Sequence, residues 1–285
     1  MLRFRSLAAL STMSLQFKGR PGLVAYLTCG DPDLETTSEV VLALSHAGAD
    51  VIELGVPFSD PVADGPVIQR ASERALRNGT TLASVLELAR QVRKQSSAAL
   101  IIFSYVNPVL RFGFTRFCAA AADAGVNGAL ITDLPVEEAG EYLRCMRARE
   151  LETIFLVAPT STEQRLRLIC EASRGFIYAV SRTGVTGARE ELAADARQLV
   201  SRLRKCTRLP VAVGFGISTP QQFGAVGEFA DAAVVGSAIV RTIENAGRTL
   251  AAVAVAKFVE SLLARSTAVS PGSVKSNRRA LESAR

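Results

Sequence analysis

Short apolar runs alternate with helical segments along most of the chain. Each run is nearly continuous and rich in β-branched residues, which is typical of strands buried on both faces of a parallel sheet. The predicted strands are residues 23–28, 51–54, 99–103, 128–131, 153–157, 176–180, 210–213 and 232–235. The pattern therefore predicts a unit of one strand followed by one helix, which is repeated along the chain.

The segments between the predicted strands carry helix start signals. Thr219 before Pro220 is typical of an N-cap followed by proline in the first turn. Ser161 and Gln164 have the spacing of a capping box. Residues 82–92 show apolar positions at helical spacing. These signals predict helices between the strands.

Eight such units in about 250 residues predict an α/β protein, a (β/α)8 TIM barrel formed as a single domain by residues 21–264. A doubly wound open sheet alternates in the same way and is the alternative. The count of eight, and the lack of a GxGxxG motif after the first strand, favour the barrel. Residues 1–20 are predicted to form an N-terminal helix or extension. Residues 265–285 are predicted to form a disordered basic tail.

The net charge of +6 and the pI near 9.3 raise the question of a nucleic-acid partner. The two terminal segments, residues 1–20 and 265–285, carry more than the whole excess of positive charge, so the rest of the chain is slightly acidic. A nucleic-acid footprint should instead cluster on the folded face. No apolar stretch reaches the ~18 residues of a membrane-spanning helix. We expect neither nucleic acid nor membrane as a partner.

Cysteine, histidine and lysine restrict the chemistry further. An odd number of cysteines without CxxC spacing favours free thiols and a cytoplasmic location. His46 is the only histidine, so neither a histidine-based metal cluster nor a Ser-His-Asp triad is expected. No lysine follows a predicted strand, whereas Schiff-base or pyridoxal-phosphate chemistry needs one there.

The run after the second predicted strand carries the strongest candidates for chemistry. In a barrel the site lies at the carboxyl ends of the strands. Glu53 lies within an apolar strand, where a carboxylate is costly unless it is satisfied or functional. Asp60 and Asp64 lie in a proline-rich loop. The alternative interpretation is that Glu53 forms a structural salt bridge and that the two aspartates are solvated turn residues. If this is not the case, Glu53 and Asp64 are the candidates for proton transfer. Two carboxyl groups at one barrel mouth can take different roles when their environments set different pKa values.

Glycine-rich loops follow the last three predicted strands, at residues 181–189, 214–218 and 236–239. Small residues let backbone N–H groups approach an anion, and a helix beginning at Ser237 would add its positive end. Glycines also serve ordinary turns. Three such loops side by side favour a phosphorylated substrate.

The motif IELGVPFSDPVADG, residues 52–65, resembles the signature of the tryptophan synthase alpha chain family. The resemblance covers roughly residues 15–260. Further segments resemble the family's strand ends: Tyr26–Pro32, Ser104–Pro108, Thr132–Pro135, Ser181–Ala188, Gly214–Ser218 and Gly236–Val240.

The resemblance implies retro-aldol cleavage of indole-3-glycerol phosphate to indole and glyceraldehyde 3-phosphate, with no cofactor or metal in this chain. It implies that Glu53 is the general acid/base and that Asp64 binds the indole N–H. Tyr178 would line the site, and Thr186 of a mobile sixth loop would orient Asp64. The implied phosphate cradle is formed by Gly187, Gly216, Gly236 and Ser237.

The resemblance also implies a beta subunit, which uses pyridoxal phosphate to join the indole to serine within an α2β2 heterotetramer. Asp60, Asn107 and Pro135 would face that subunit. A stand-alone indole-3-glycerol phosphate lyase stays open, as do another phosphate-binding barrel of tryptophan or histidine biosynthesis and a non-catalytic scaffold.

Overall fold

Eight parallel strands close into a barrel, in which each strand pairs with the next and β8 pairs with β1. The computed structural model describes residues 15, 17–19, 21–180, 189–214 and 216–264, without the side chains of residues 189–193. The strands are β1 Gly22–Thr28, β2 Val51–Gly55, β3 Ala99–Ser104, β4 Gly128–Ile131, β5 Glu152–Val157, β6 Ile177–Val180, β7 Val211–Gly214 and β8 Ala232–Val235. The barrel is confirmed, and every predicted strand agrees to within one residue.

Helices surround this barrel. Among the described residues they are α1 Leu34–His46, α2 Pro66–Arg77, α3 Leu82–Arg93, α4 Val106–Phe112, α5 Phe114–Asp123, α6 Gly140–Ala148, α7 Glu163–Ala172, α8 Arg189–Leu203, α9 Pro220–Val226 and α10 Ser237–Ala264. The predicted helix over 82–92 is confirmed as α3. The last helix consists of two helical pieces, because Gly247 adopts φ 67° and ψ 178° between them.

One of the two cap predictions is confirmed and the other is wrong. Thr219 caps α9 in a capping box with Gln222. The cap of α7 is Thr162, whose side chain accepts from the N–H of Arg165. Ser161 lies one residue outside the helix, and its hydroxyl accepts from the N–H of Ala158 instead. Ser161 and Thr162 both carry a hydroxyl that can cap a helix. Ser161 belongs to the turn before the helix, where its N–H bonds to the carbonyl of Ala158, so Thr162 occupies the cap position.

The barrel interior is filled by alternate residues of each strand, as the two-residue period of a strand requires. At the amino-terminal end, Val24, Val51, Ile101 and Leu130 are all fully buried and belong to one apolar cluster. The inward positions further along the strands form the mouth of the barrel. The opposite strand faces pack against the helices in the main core.

The chain before β1 closes the amino-terminal end of the barrel. Leu15 is buried in the interior cluster, and the ring of Phe17 packs edge-on against Phe176 at 5.9 Å between centroids. Residues 17–19 are not helical. The predicted N-terminal helix and basic tail otherwise lie outside the described residues and stay predictions. Among the described helices, none has both the length and the apolar character needed to cross a membrane.

Candidate active site at the carboxyl-terminal mouth of the barrel

Glu53 points into the barrel from the middle of β2. It pairs in register with Tyr26 on β1 and Ile101 on β3, and its side chain is fully buried. Neither of its carboxylate oxygens has a hydrogen-bond partner within the described part of the chain. Because burial penalises the charged form, the pKa of Glu53 is raised to about 8. At neutral pH this side chain therefore carries a proton that it can donate.

Aromatic side chains surround this carboxyl group. Tyr26 and Phe103 pack edge to face at 5.0 Å between ring centroids. Burial raises the pKa of Tyr26, with further contributions from the charges of Asp64 and Glu53, among others. Burial likewise raises the pKa of Tyr178, and the charges of Glu53 and Asp64 add to it. Both hydroxyl groups thus lie within electrostatic reach of both carboxyl groups.

Tyr178 was a predicted site residue, and the structure places it on β6 with its side chain packed against the interior cluster. Tyr26 and Phe103 were not predicted as site residues. They could have been found by counting inward positions, because each lies in register with β2, opposite Glu53 or Gly55. The closed barrel brings these inward side chains of β1, β2 and β3 to one place.

Asp64 lies in the loop between β2 and α2, partly buried beside Tyr105. The Tyr105 hydroxyl donates to Asp64 Oδ2 at 3.2 Å and accepts from the N–H of Ala63 at 3.0 Å. Burial raises the pKa of Asp64 to about 6, although the Tyr105 hydrogen bond lowers it. The side chain of Gln69 donates to the Asp64 carbonyl oxygen at 2.9 Å. Near neutral pH Asp64 is mostly ionised while Glu53 is mostly protonated.

Two of the predicted phosphate loops are described. Gly216 adopts φ +78°, which favours glycine, and a β-carbon there would meet no atom within 4 Å. The helix α10 begins at Ser237, and its first backbone bond runs from the N–H of Val240 to the carbonyl of Gly236. The N–H groups before Val240 have no partner within the helix. Unpartnered N–H groups at the start of a helix suit an anion.

The neighbouring helix α9 is different, because its own side chains use its free N–H groups. Gln222 Oε1 accepts from the N–H groups of Ser218 and Thr219, and Thr219 Oγ1 accepts from the N–H of Gln222. Thr186 and Gly187, the predicted contributions of the sixth loop, lie outside the described residues.

The predicted partner face lies on the loops at the same end of the barrel. Asp60 and Asn107 are exposed, and Pro135 is half-buried. Two apolar residues close to them in the chain are also exposed to solvent. Val62, near Asp60, is 87% exposed, and Leu110, near Asn107, is 52% exposed.

Two cavities lie away from Glu53. One of about 820 Å³ lies at the amino-terminal end, between Leu15, Glu152 and Arg174 among others. The other, about 330 Å³, lies after β4 and β5 and includes Pro135 in its lining. The larger cavity opens at the end of the barrel opposite to Glu53 and Asp64, and neither carboxyl group lines it. In the described residues, no group of three or more histidine, cysteine, aspartate or glutamate side chains is arranged to hold a metal ion.

The fold defines a (β/α)8-barrel protein that carries two carboxyl groups, Glu53 and Asp64, in different environments at the mouth of the barrel. The family model described as tryptophan synthase alpha chain matches residues 13–267. The chain therefore belongs to the tryptophan synthase alpha chain family, and it is a lyase that cleaves indole-3-glycerol phosphate.

Named relatives agree with this family. The tryptophan synthase alpha chain of Solibacter usitatus is 55% identical over 231 residues, which is 81% of this chain and 86% of the relative. That of Geobacter sulfurreducens is 48% identical over 248 residues, 87% of this chain and 94% of the relative. The structure of the Pyrococcus furiosus tryptophan synthase complex matches with a TM-score of 0.80 and 40% identity, over 86% of this chain and 99% of that chain.

Proposed function

We propose that Glu53 and Asp64 carry out the cleavage of indole-3-glycerol phosphate. The observation that carries this proposal is the fully buried Glu53, whose carboxylate oxygens have no partner among the described residues. A buried carboxyl group without a partner costs free energy unless it serves a function. A structural salt bridge would have given Glu53 a partner.

In this cleavage Glu53 first donates a proton and then accepts one, so the proton balance is closed. Its acid form protonates C3 of the indole ring, which creates an electron sink in the ring. As the bond between C3 and the glycerol side chain breaks, its electron pair returns to the ring. The side-chain hydroxyl loses its proton to the Glu53 carboxylate and becomes the aldehyde. General acid–base help of this kind contributes about 10²–10⁴-fold.

Asp64 stabilises the positive charge that develops on the ring nitrogen, by accepting a hydrogen bond from the indole N–H. Its ionised form suits this role near neutral pH. Tyr178 lines the ring pocket beside Glu53. We assign the substrate phosphate to the N–H groups at the start of α10, with Gly236, Ser237 and Gly216. Thr186 and Gly187 of the sixth loop complete this proposed site.

We also propose that the chain works with a beta subunit in an α2β2 heterotetramer, and that Asp60, Asn107 and Pro135 face that subunit. Val62, which is 87% exposed in the loop that also carries Asp60, supports this contact. Pyridoxal phosphate would be held by the beta subunit alone, since a protonated indole ring needs no other electron sink. Free thiols at all five cysteines support a cytoplasmic location.

Indole release by the purified chain tests the proposal. The chain is incubated with indole-3-glycerol phosphate, with and without a tryptophan synthase beta subunit, and the indole formed is measured. We expect slow release by the chain alone and faster release with the beta subunit. An identical rate in both cases would instead favour the stand-alone lyase.

Variants test the two carboxyl groups. Glu53→Gln and Asp64→Asn should each lose at least about 10²-fold in turnover. The matched control is Glu152→Gln. Glu152 is the first residue of β5 and lines the cavity at the opposite end of the barrel, where burial also raises its pKa. Glu152→Gln should keep its turnover. Full turnover in Glu53→Gln would refute the proposal.

A further inference from the structure

The loop that carries Asp64 is held by one aromatic residue of the next strand–helix unit. Tyr105 follows β3, directly before α4, and is only 3% exposed. Its ring stacks on Phe58 of the Asp64 loop, with 5.0 Å between centroids and 29° between planes. Its hydroxyl reaches the same loop six residues further on, at Asp64. One side chain therefore holds the loop at two points.

The direction of the two hydrogen bonds determines what the hydroxyl does. The N–H of Ala63 donates to the Tyr105 oxygen, so the single hydroxyl proton is free to go to Asp64 Oδ2. Both hydrogen bonds are partly buried, so water does not freely replace the Tyr105 hydroxyl at Asp64 Oδ2. Such a donor fixes which way the carboxylate faces and which oxygen stays free for a ligand.

We propose that Tyr105 is a positioning residue for the cleavage reaction: its hydroxyl holds the Asp64 carboxylate in the orientation that accepts the indole N–H. This inference rests on the proposed role of Asp64. Tyr105 itself touches no reacting atom in this arrangement. It acts through Asp64, because a misaligned carboxylate loses transition-state stabilisation even when the substrate still binds.

The same contact controls when Asp64 is ionised. A hydrogen bond donated to a carboxylate stabilises its charged form and lowers its pKa. The other titratable groups within electrostatic reach of Asp64 are Tyr26 and Tyr178, which also lie within reach of Glu53, and Asp133 faces Tyr105. None of these donates a hydrogen bond to the Asp64 carboxylate in the described structure. Removal of the Tyr105 hydroxyl should therefore raise the pKa of Asp64.

Tyr105→Phe tests this proposal, because it keeps the ring on Phe58 and removes only the hydroxyl. The pKa of Asp64 is measured in the full chain by carbon NMR of labelled aspartate carboxyl groups, with the signal assigned by its loss in Asp64→Asn. We expect the pKa to rise by roughly 0.5–1 unit. We also expect kcat to fall about tenfold with little change in KM. The acidic limb of the rate profile should move up with the pKa.

The matched control is Tyr142→Phe, which removes a buried hydroxyl that donates to the carbonyl of Ala129 at 3.2 Å. It should move neither the pKa of Asp64 nor the rate profile. An unchanged Asp64 pKa in Tyr105→Phe overturns the proposal, and so does a shifted pKa with undiminished kcat. Full turnover in Asp64→Asn would instead refute the proposed function, whereas an inactive Asp64→Asn beside an unaffected Tyr105→Phe refutes this inference alone.

Discussion

The hydroxyl of Tyr26 on β1 lies against the α-carbon of Gly55 on β2. A β-carbon at position 55 would stand 2.5 Å from that hydroxyl and 2.8 Å from the carbonyl oxygen of Leu27. Backbone cannot move aside as a flexible side chain can, so position 55 requires glycine. Since Gly55 lies two residues beyond Glu53, which pairs in register with Tyr26, this close approach also fixes the Tyr26 ring near Glu53.

Gly55→Ala should therefore disturb both the barrel and the site. We expect a loss of about 1–3 kcal/mol in the free energy of unfolding, because the added methyl group overpacks the interior. Turnover should fall as the Tyr26 ring is displaced. Urea unfolding and indole release measure the two effects. Gly140→Ala is the control, since the nearest atom to its β-carbon is 3.7 Å away. An equally mild result in both variants would contradict the steric argument.

Burial of Glu53 should make stability depend on pH. Its pKa is about 8 in the folded chain and about 4.5 when exposed, so between these values the folded state holds a proton that the unfolded state has lost. Stability should therefore fall as pH rises from about 4.5 to about 8. Glu53→Gln removes this cost. Its advantage over the natural chain should grow by a few kcal/mol between pH 5 and pH 9, measured by urea unfolding. A constant difference would mean that Glu53 is not desolvated.

The pH dependence of turnover should have two limbs. Ionisation of Asp64 near pH 6 should raise kcat/KM, and loss of the Glu53 proton near pH 8 should lower it again. The optimum should therefore lie at neutral pH. Indole release measured from pH 5 to pH 9 gives the profile. Activity still increasing above pH 9 would argue against Glu53 as the proton donor.

Val62→Ser should weaken binding of the beta subunit without affecting the folding of this chain, because Val62 is 87% exposed. We expect at least about a tenfold loss of affinity if Val62 is buried in the complex. Titration of the beta subunit, followed by the activation of indole release, measures it. Val253→Ser, on the second half of α10 and 54% exposed, is the matched control. Equal effects of both variants would show that Val62 is not in the contact.

Arg74 should be important for stability. It pairs with Asp31 through two contacts, at 2.7 and 2.8 Å, and with Glu244 at 2.8 Å, so it joins α2 to α10 and to the loop after β1. Asp31 is only 4% exposed. Arg74→Met should cost about 2–4 kcal/mol by leaving a buried carboxylate unpaired. Arg77→Met, which breaks the exposed pair with Glu73 on the same helix, should cost less than about 0.5 kcal/mol. Thermal or urea unfolding compares them.

The strands and the helix α3 could be predicted because their causes are local. A strand covered on both faces needs a continuous apolar run, and that run can be counted in the sequence. A proline in the first helical turn identifies the cap at Thr219 for a similar reason. The cap of α7 was predicted wrongly, since Ser161 and Thr162 both carry hydroxyls and only the preceding turn places Thr162 at the cap position.

Glu53 was predicted as a site residue because a carboxylate inside an apolar strand is unusual wherever it lies. The residues around it were harder to predict. Tyr105 follows an ordinary apolar strand, and nothing near it in sequence indicates that its hydroxyl meets Asp64, which lies in the preceding unit. Tyr26 and Phe103 are likewise unremarkable apolar positions until the strands are aligned in register.

The amino-acid sequence by itself thus determined the eight repeated units, because their periodicity is visible along the chain. It also identified Glu53 and Asp64 as candidate site residues, because a carboxyl group inside an apolar strand and another in the proline-rich loop after it are visible there too. Closure of the barrel decided the rest. Only closure turns Glu53 into the buried interior, and this burial raises its pKa. Only the approach of neighbouring units places Tyr105 on Asp64 and Arg74 on Asp31. These contacts depend on distance in space, which the order of residues does not contain.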